Sequence, residues 1–199
     1  MTKPLPDQPE LEPLTRTQLL IAMGVTAIVL LVVAKLWKHF GTVSLLPVKW
    51  TGLALLLGLS IGLGITAASA LVYRLWPAYR QSADYYLELV LKPLFLPDLI
   101  WLGLLPGLSE ELLFRGVMLP ALGLDTGGLI VSSLCFGILH LSGMQQWPYA
   151  VWASLVGLVL GYSALATGNL LVPITAHICT NLISSYLWKL DSRNNGGVS

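Results

Sequence analysis

Long apolar runs broken by short polar clusters organise this chain, and the breaks fall where a membrane protein would place its turns. Thr17 to Trp37 forms a first helical run, closed by Lys35 and Lys38, whose stems can carry their ammonium groups to an interface, with His39 at that edge. Trp50 to Leu75 forms a second, and Gly58, Gly62 and Gly64 within it predict a small-residue face for close helix packing. Residues 78–95 mix Tyr79, Tyr85, Tyr86 and Leu87 with Arg80, Asp84, Glu88 and Lys92, the pattern of an amphipathic helix lying in the interface. A third apolar helix spans Pro97 to Gly123, with Pro106 and Gly107 inviting a kink just before Glu110 and Glu111. A fourth runs from Gly128 to Gly143. Pro148 starts a fifth that reaches Thr167, and Gly168-Asn169 supplies the turn into a sixth, Leu170 to Lys189.

The predicted fold class is therefore all-α: a polytopic transmembrane bundle of about six membrane helices plus one interfacial helix. Its single domain covers 17–190. A disordered tail is expected over 1–16, where Pro4, Pro6, Pro9 and Pro13 oppose a helix, and a polar tail over 191–199. Composition agrees, with 55% apolar and only 11% charged residues against roughly a quarter charged in a soluble domain. Residues 126–188 carry no Asp, Glu, Lys or Arg, enough chain for three crossings at roughly 20 residues each. The expected location is an integral multi-pass membrane protein whose first partner is the bilayer. Seven Lys and Arg lie in the ends and the 74–98 connection, and three in the first loop, which places both termini on the cytoplasmic side.

A net charge of +1 offers no basic surface, so nucleic acid is excluded as a partner, and no phosphate-cradling or dinucleotide fingerprint occurs. Cys135 and Cys179 sit within predicted helices without CxxC spacing and read as small buried side chains.

Five ionisable residues remain inside the apolar helices: Glu110, Glu111, Arg115, His140 and His177. Each is expensive in a bilayer unless paired or hydrated, which makes each a candidate for function. Glu111 and Arg115 stand four apart on one helix face and can neutralise each other, the mark of a structural pair. Glu110 points about 100° away around the helix and has no basic residue three or four places off. His177 and Asn181 share a face of the sixth helix, and Phe136 and His140 a face of the fourth. Counted along helices at 1.5 Å per residue, Glu110, His140 and His177 lie at about 18, 12 and 20 Å from one surface of a ~30 Å core, so three helices can furnish one polar pocket. A lone membrane histidine is equally a side chain hydrogen-bonded to a neighbouring helix; two with a spare glutamate favour a site.

A carboxylate with an imidazole can polarise water and move protons, while a second histidine with an asparagine can donate hydrogen bonds to an oxyanion, an inventory suited to peptide hydrolysis. No GxSxG elbow is present, and Ser109 has no evident base beside it.

Three segments, Glu110-Glu111-Leu-Leu-Phe-Arg115-Gly116, Phe136-Gly-Ile-Leu-His140 and His177-Ile-Cys-Thr-Asn181, resemble in type and order the signature motifs of the CPBP family of CAAX prenyl proteases and bacteriocin-processing relatives. The resemblance covers about 95–190. It implies a glutamic-type intramembrane endopeptidase in which Glu110 and His140 activate water and His177 and Asn181 form the oxyanion hole. Glu111, Arg115 and Phe136 support that site. The implied substrate is a peptide or protein that is membrane-associated or lipidated, and the implied cofactor is none. About six helices rather than the eight of larger eukaryotic prenyl proteases point to a member of a bacterial-type membrane. Some relatives are labelled metalloproteases, and a zinc-dependent alternative would use His140, His177 and a glutamate as ligands with water in the fourth place, although no HExxH occurs. A non-enzymatic scaffold or proton-coupled carrier is the other alternative; carriers are commonly built from inverted repeats, and none is seen.

Overall fold

A computed structural model describes the backbone of residues 14–41 and 43–196, with side chains to Ser192. Among the described residues every regular element is helical. Helix α1 spans Arg16–Phe40 and is opened by Thr15, whose side chain accepts from the Gln18 N–H in a capping box. Helix α2 spans Gly52–Leu75, with Thr51 capping the Ala54 N–H at 3.1 Å. Pro77 begins α3, Pro77–Leu91, the expected amphipathic helix; it buries Tyr79, Ser82, Ala83 and Leu91 and packs across α2 and the later helices Trp147–Thr167 and Leu171–Gly196.

After a short turn at Leu96–Asp98 the chain runs as α4, Leu99–Glu111, passes through a π-helical stretch, Leu112–Met118, and ends as α5, Leu119–Leu122. This continuous column meets α3 at 106°. Helix α6, Thr126–Leu139, is capped by Asp125, which accepts from the Gly128 N–H. Helix α7, Trp147–Thr167, closes on Gly168 at φ +56, a left-handed position where glycine carries no Cβ penalty. Helix α8 spans Leu171–Gly196, so the tail expected from residue 191 continues the helix for six residues. Residues 1–13, which hold most of the proline-rich tail, and 197–199 lie outside the described residues.

The irregularity of the third apolar helix falls after the acidic pair rather than at Pro106. Side chains Leu113 to Val117 are buried on all sides, and the Gly116 carbonyl accepts from the Leu46 N–H of the α1–α2 connection at 3.2 Å. A carbonyl shared with a neighbouring segment weakens the regular ladder and accommodates a wider turn, and such turns recur at functional sites.

Three helical segments among the described residues are long and apolar enough to cross a bilayer alone: Arg16–Phe40, Gly52–Leu75 and Met144–Thr167. A fourth arises if the bent pair Pro77–Leu91 and Leu96–Leu122 is one span. At 14 residues α6 is about 21 Å long, shorter than a ~30 Å core. It is thus the short helices and the polar α8, not the long apolar ones, that carry most of the candidate residues.

Glycines set the packing that positions them. A Cβ on Gly58 would stand 2.5 Å from the Thr175 Cβ, and one on Gly62 2.7 Å from the Ala176 carbonyl, so α2 and α8 touch backbone to backbone. Gly64, expected on the same face, has open space beside it and takes no part. Gly103 and Gly107 of α4 meet Leu182 and Ile178 in the same way, which seats α4 against the middle of α8.

Candidate active site

The last turn of α4 delivers two adjacent carboxylates into different surroundings. Glu111 is fully buried, as is Arg115, and the Arg115 Nη1 donates to Glu111 Oε1 at 2.7 Å. The guanidinium also donates from Nη2 to the Gly157 carbonyl at 2.9 Å and lies 4.3 Å from the centre of the Phe136 ring. Two buried charges are tolerable only when paired with good geometry, and the i,i+4 spacing supplies it, as the sequence predicts. The Gly157 carbonyl was not predicted; its only local signal is a glycine in an apolar helix, which says nothing of where its carbonyl points.

His177 departs from expectation. Its Nδ1 lies 2.8 Å from Glu111 Oε1, so the acid expected to serve Arg115 alone serves the histidine too. The cause is helix register: Gly107 admits Ile178 against α4, and the neighbouring His177 then meets the Glu111 face. A carboxylate only accepts, so the Nδ1 carries the proton and donates.

His140 meets Glu110, with Nε2 3.8 Å from Glu110 Oε2. It does not lie within a helix, as the expected 128–143 span would have it, but at the C-cap of α6, where its Nδ1 donates to the Phe136 carbonyl at 2.8 Å. That bond fixes the tautomer: in the neutral ring Nε2 is left as an acceptor. Glu110 is nine-tenths buried, and its Oε2 has no hydrogen-bond partner among the described residues. Asn181, one turn beyond His177, donates from Nδ2 to the Leu102 carbonyl at 3.4 Å.

Phe136 is the hub of this arrangement. Its ring lies 4.6 Å from that of His140, 5.8 Å from His177 and 5.4 Å edge-on to Phe114. Two tyrosines that the sequence did not place at the site complete the frame: Tyr86 of α3 stacks on Tyr149 of α7 at 4.7 Å, and Tyr149 lies 6.3 Å from His140. They meet only because α3 crosses α7, which no spacing within either helix reveals.

Glu110, Phe136, His140, His177 and Asn181 all line one cavity of about 550 Å³, walled also by Tyr86 and Tyr149. Glu111 and Arg115 lie behind its wall. The zinc alternative requires His140, His177 and a glutamate to converge on a point about 2 Å from each. Among the described residues no three His, Cys, Asp or Glu side chains form such a group.

Residues 92–183 match the family model described as type II CAAX prenyl endopeptidase Rce1-like, a segment that contains all seven residues of the site. The chain is similar to "Uncharacterized protein YpbD" of Bacillus subtilis (strain 168), 30% identical over 126 residues, covering 63% of this chain and 64% of that protein. It is also similar to "Uncharacterized protein YyaK" of the same organism, 36% identical over 83 residues, covering 37% of this chain and 27% of that protein. It thus spans less than two thirds of either relative. No solved structure matches it.

Proposed function

We propose, from the match of residues 92–183 to the Rce1-like family model of type II CAAX prenyl endopeptidases, that this chain is an intramembrane endopeptidase of glutamic type. Its substrate is a peptide or protein that is membrane-associated or lipidated, and its setting is a bacterial-type membrane.

The reaction divides among the residues as follows. A distance of 3.8 Å between Glu110 Oε2 and His140 Nε2 is too long for a direct hydrogen bond and suits one water bound to both. Glu110 takes a proton from that water as its oxygen bonds to the carbonyl carbon of the scissile peptide, and the carbonyl π electrons move to the oxygen. His177 and Asn181 Nδ2 donate to the oxyanion. Glu111 Oε1, 2.8 Å from His177 Nδ1, holds the imidazole ring in place for that contact. Collapse of the intermediate breaks the C–N bond, and the proton held by Glu110 passes to the leaving amine. No step calls for a Lewis acid, so the activity is metal-independent.

The observation that carries this reading is the contrast at one helical step: Glu110 lines the cavity and its Oε2 is unpartnered, while Glu111 lies behind the wall and holds both Arg115 and His177 through Oε1. The test is cleavage of a membrane-anchored reporter by purified wild type and Glu110→Gln. Loss of cleavage in a folded variant supports the reading, and an active Glu110→Gln refutes it.

A further inference from the structure

Hydrolysis inside a bilayer consumes water at a buried carboxylate, and two helices carry polar side chains along the cavity that holds it. Thr66, Ser69 and Tyr73 recur at helical spacing along α2, and His177, Asn181, Ser184 and Asp191 do the same along α8; all seven line the cavity.

Helices α2 and α8 run parallel, since Gly58 meets Thr175 and Gly62 meets Ala176. Their polar positions therefore make one stripe directed toward the C-terminal ends of both. From His177 to Asp191 it extends about 21 Å at 1.5 Å per residue, more than half the thickness of a ~30 Å core. Its outer end is a charged end of the molecule: Arg74 lies in the last turn of α2, Tyr73 donates to Asp84, Lys92 pairs with Glu88 at 2.8 Å, Lys189 donates to the Lys92 carbonyl at 3.3 Å, and Arg16 forms a two-point ion pair with Asp98 at 2.6 and 2.7 Å.

The hydroxyls keep capacity for water. Thr66 donates to the Gly62 carbonyl at 2.9 Å and Ser69 accepts from Trp152 Nε1 at 3.1 Å, which leaves each at least one free lone pair. Ser184, half-buried on the cavity wall, has no hydrogen-bond partner among the described residues. At the inner end waits Glu110 Oε2, a nine-tenths buried oxygen that lacks one too.

We propose that this hydroxyl-lined stripe along α2 and α8 is the route by which water reaches Glu110, entering from the charged end. The inference rests on the proposed hydrolytic function, but its principal test does not. In a Cys135→Ala, Cys179→Ala background, Ser69→Cys and Ser184→Cys are placed on the stripe and Leu63→Cys and Val159→Cys on exposed apolar faces. Each full-length protein, in sealed vesicles of either orientation, is treated with the charged, membrane-impermeant reagent 2-sulfonatoethyl methanethiosulfonate.

Because only a hydrated thiolate reacts, the stripe cysteines should label at least about tenfold faster than the controls, and from the side of that charged end alone. Labelling no faster than the controls, or equal from both sides, overturns the proposal. Thr66→Val with Ser184→Ala, which keep side-chain volume nearly unchanged, should lower kcat at unaltered KM; an unchanged kcat likewise counts against the route. If Glu110→Gln proves active while the stripe still labels, the hydrolytic assignment fails and the water route stands. If Glu110→Gln is inactive but the stripe does not label, only the route fails.

Discussion

Behind the last turn of α4, Arg115, Glu111, the Gly157 carbonyl and the Phe136 ring form a closed arrangement with no solvent exposure at the two charges. In front of the same turn, Glu110, His140 and Asn181 face a cavity of about 550 Å³ with hydrogen-bonding capacity to spare. The two regions are one residue apart in the chain. The rear one ties the two charges to each other and to neighbouring helices away from the cavity; the front one lines the cavity where water and substrate would stand. His177 joins them, anchored by Nδ1 to the rear and lining the cavity in front. A residue's neighbours, rather than its type, decide whether a membrane carboxylate is structural or chemical.

The sharpest way to break this comparison is to remove each carboxylate's charge in turn. Glu110→Gln should lower kcat on a membrane-anchored reporter by about 10²- to 10⁴-fold, the range of a lost general base, with a melting temperature in detergent close to wild type. Glu111→Gln should do the reverse first: it strands the Arg115 charge and should cost about 3 to 5 kcal/mol, seen as a large fall in melting temperature and yield, with activity lost as well. Combining Glu111→Gln with Arg115→Met removes both charges and should recover most of that stability, yet remain inactive because His177 loses the carboxylate beside Nδ1. If the double variant regains turnover, the link between the two regions is wrong.

A smaller effect is expected at the helix seam that sets the register. Gly62→Val would drive its Cβ to within 2.8 Å of the Cys179 Cβ, so α2 must move off α8 at a cost of about 1 to 3 kcal/mol, read as a lower melting temperature. Gly64→Val, with open space at its Cβ, should cost clearly less, which makes the pair a control for helix propensity. The smallest effect is expected from a chelator: incubation with EDTA should leave the cleavage rate unchanged. Loss of activity that zinc alone restores would reinstate the alternative His140/His177/glutamate ligand set.

What could be read from the chain without a structure was whatever one helix settles by itself. The apolar runs located the helices within a few residues, and the i,i+4 spacing paired Glu111 with Arg115 and placed Glu110 a step away. These follow from a rise and a rotation that covalent geometry makes nearly invariant. The choice of Glu111 by His177, the Gly157 carbonyl as a second acceptor for Arg115, the wide turn after Glu111 and the Tyr86–Tyr149 stack all lie between helices. They depend on register and crossing geometry, set by how closely Gly58, Gly62, Gly103 and Gly107 let backbones approach, and a shift of one turn along any seam would give each acid a different partner. The residue types able to do the chemistry were therefore determined along the chain, and which of them face each other was decided only when the helices packed.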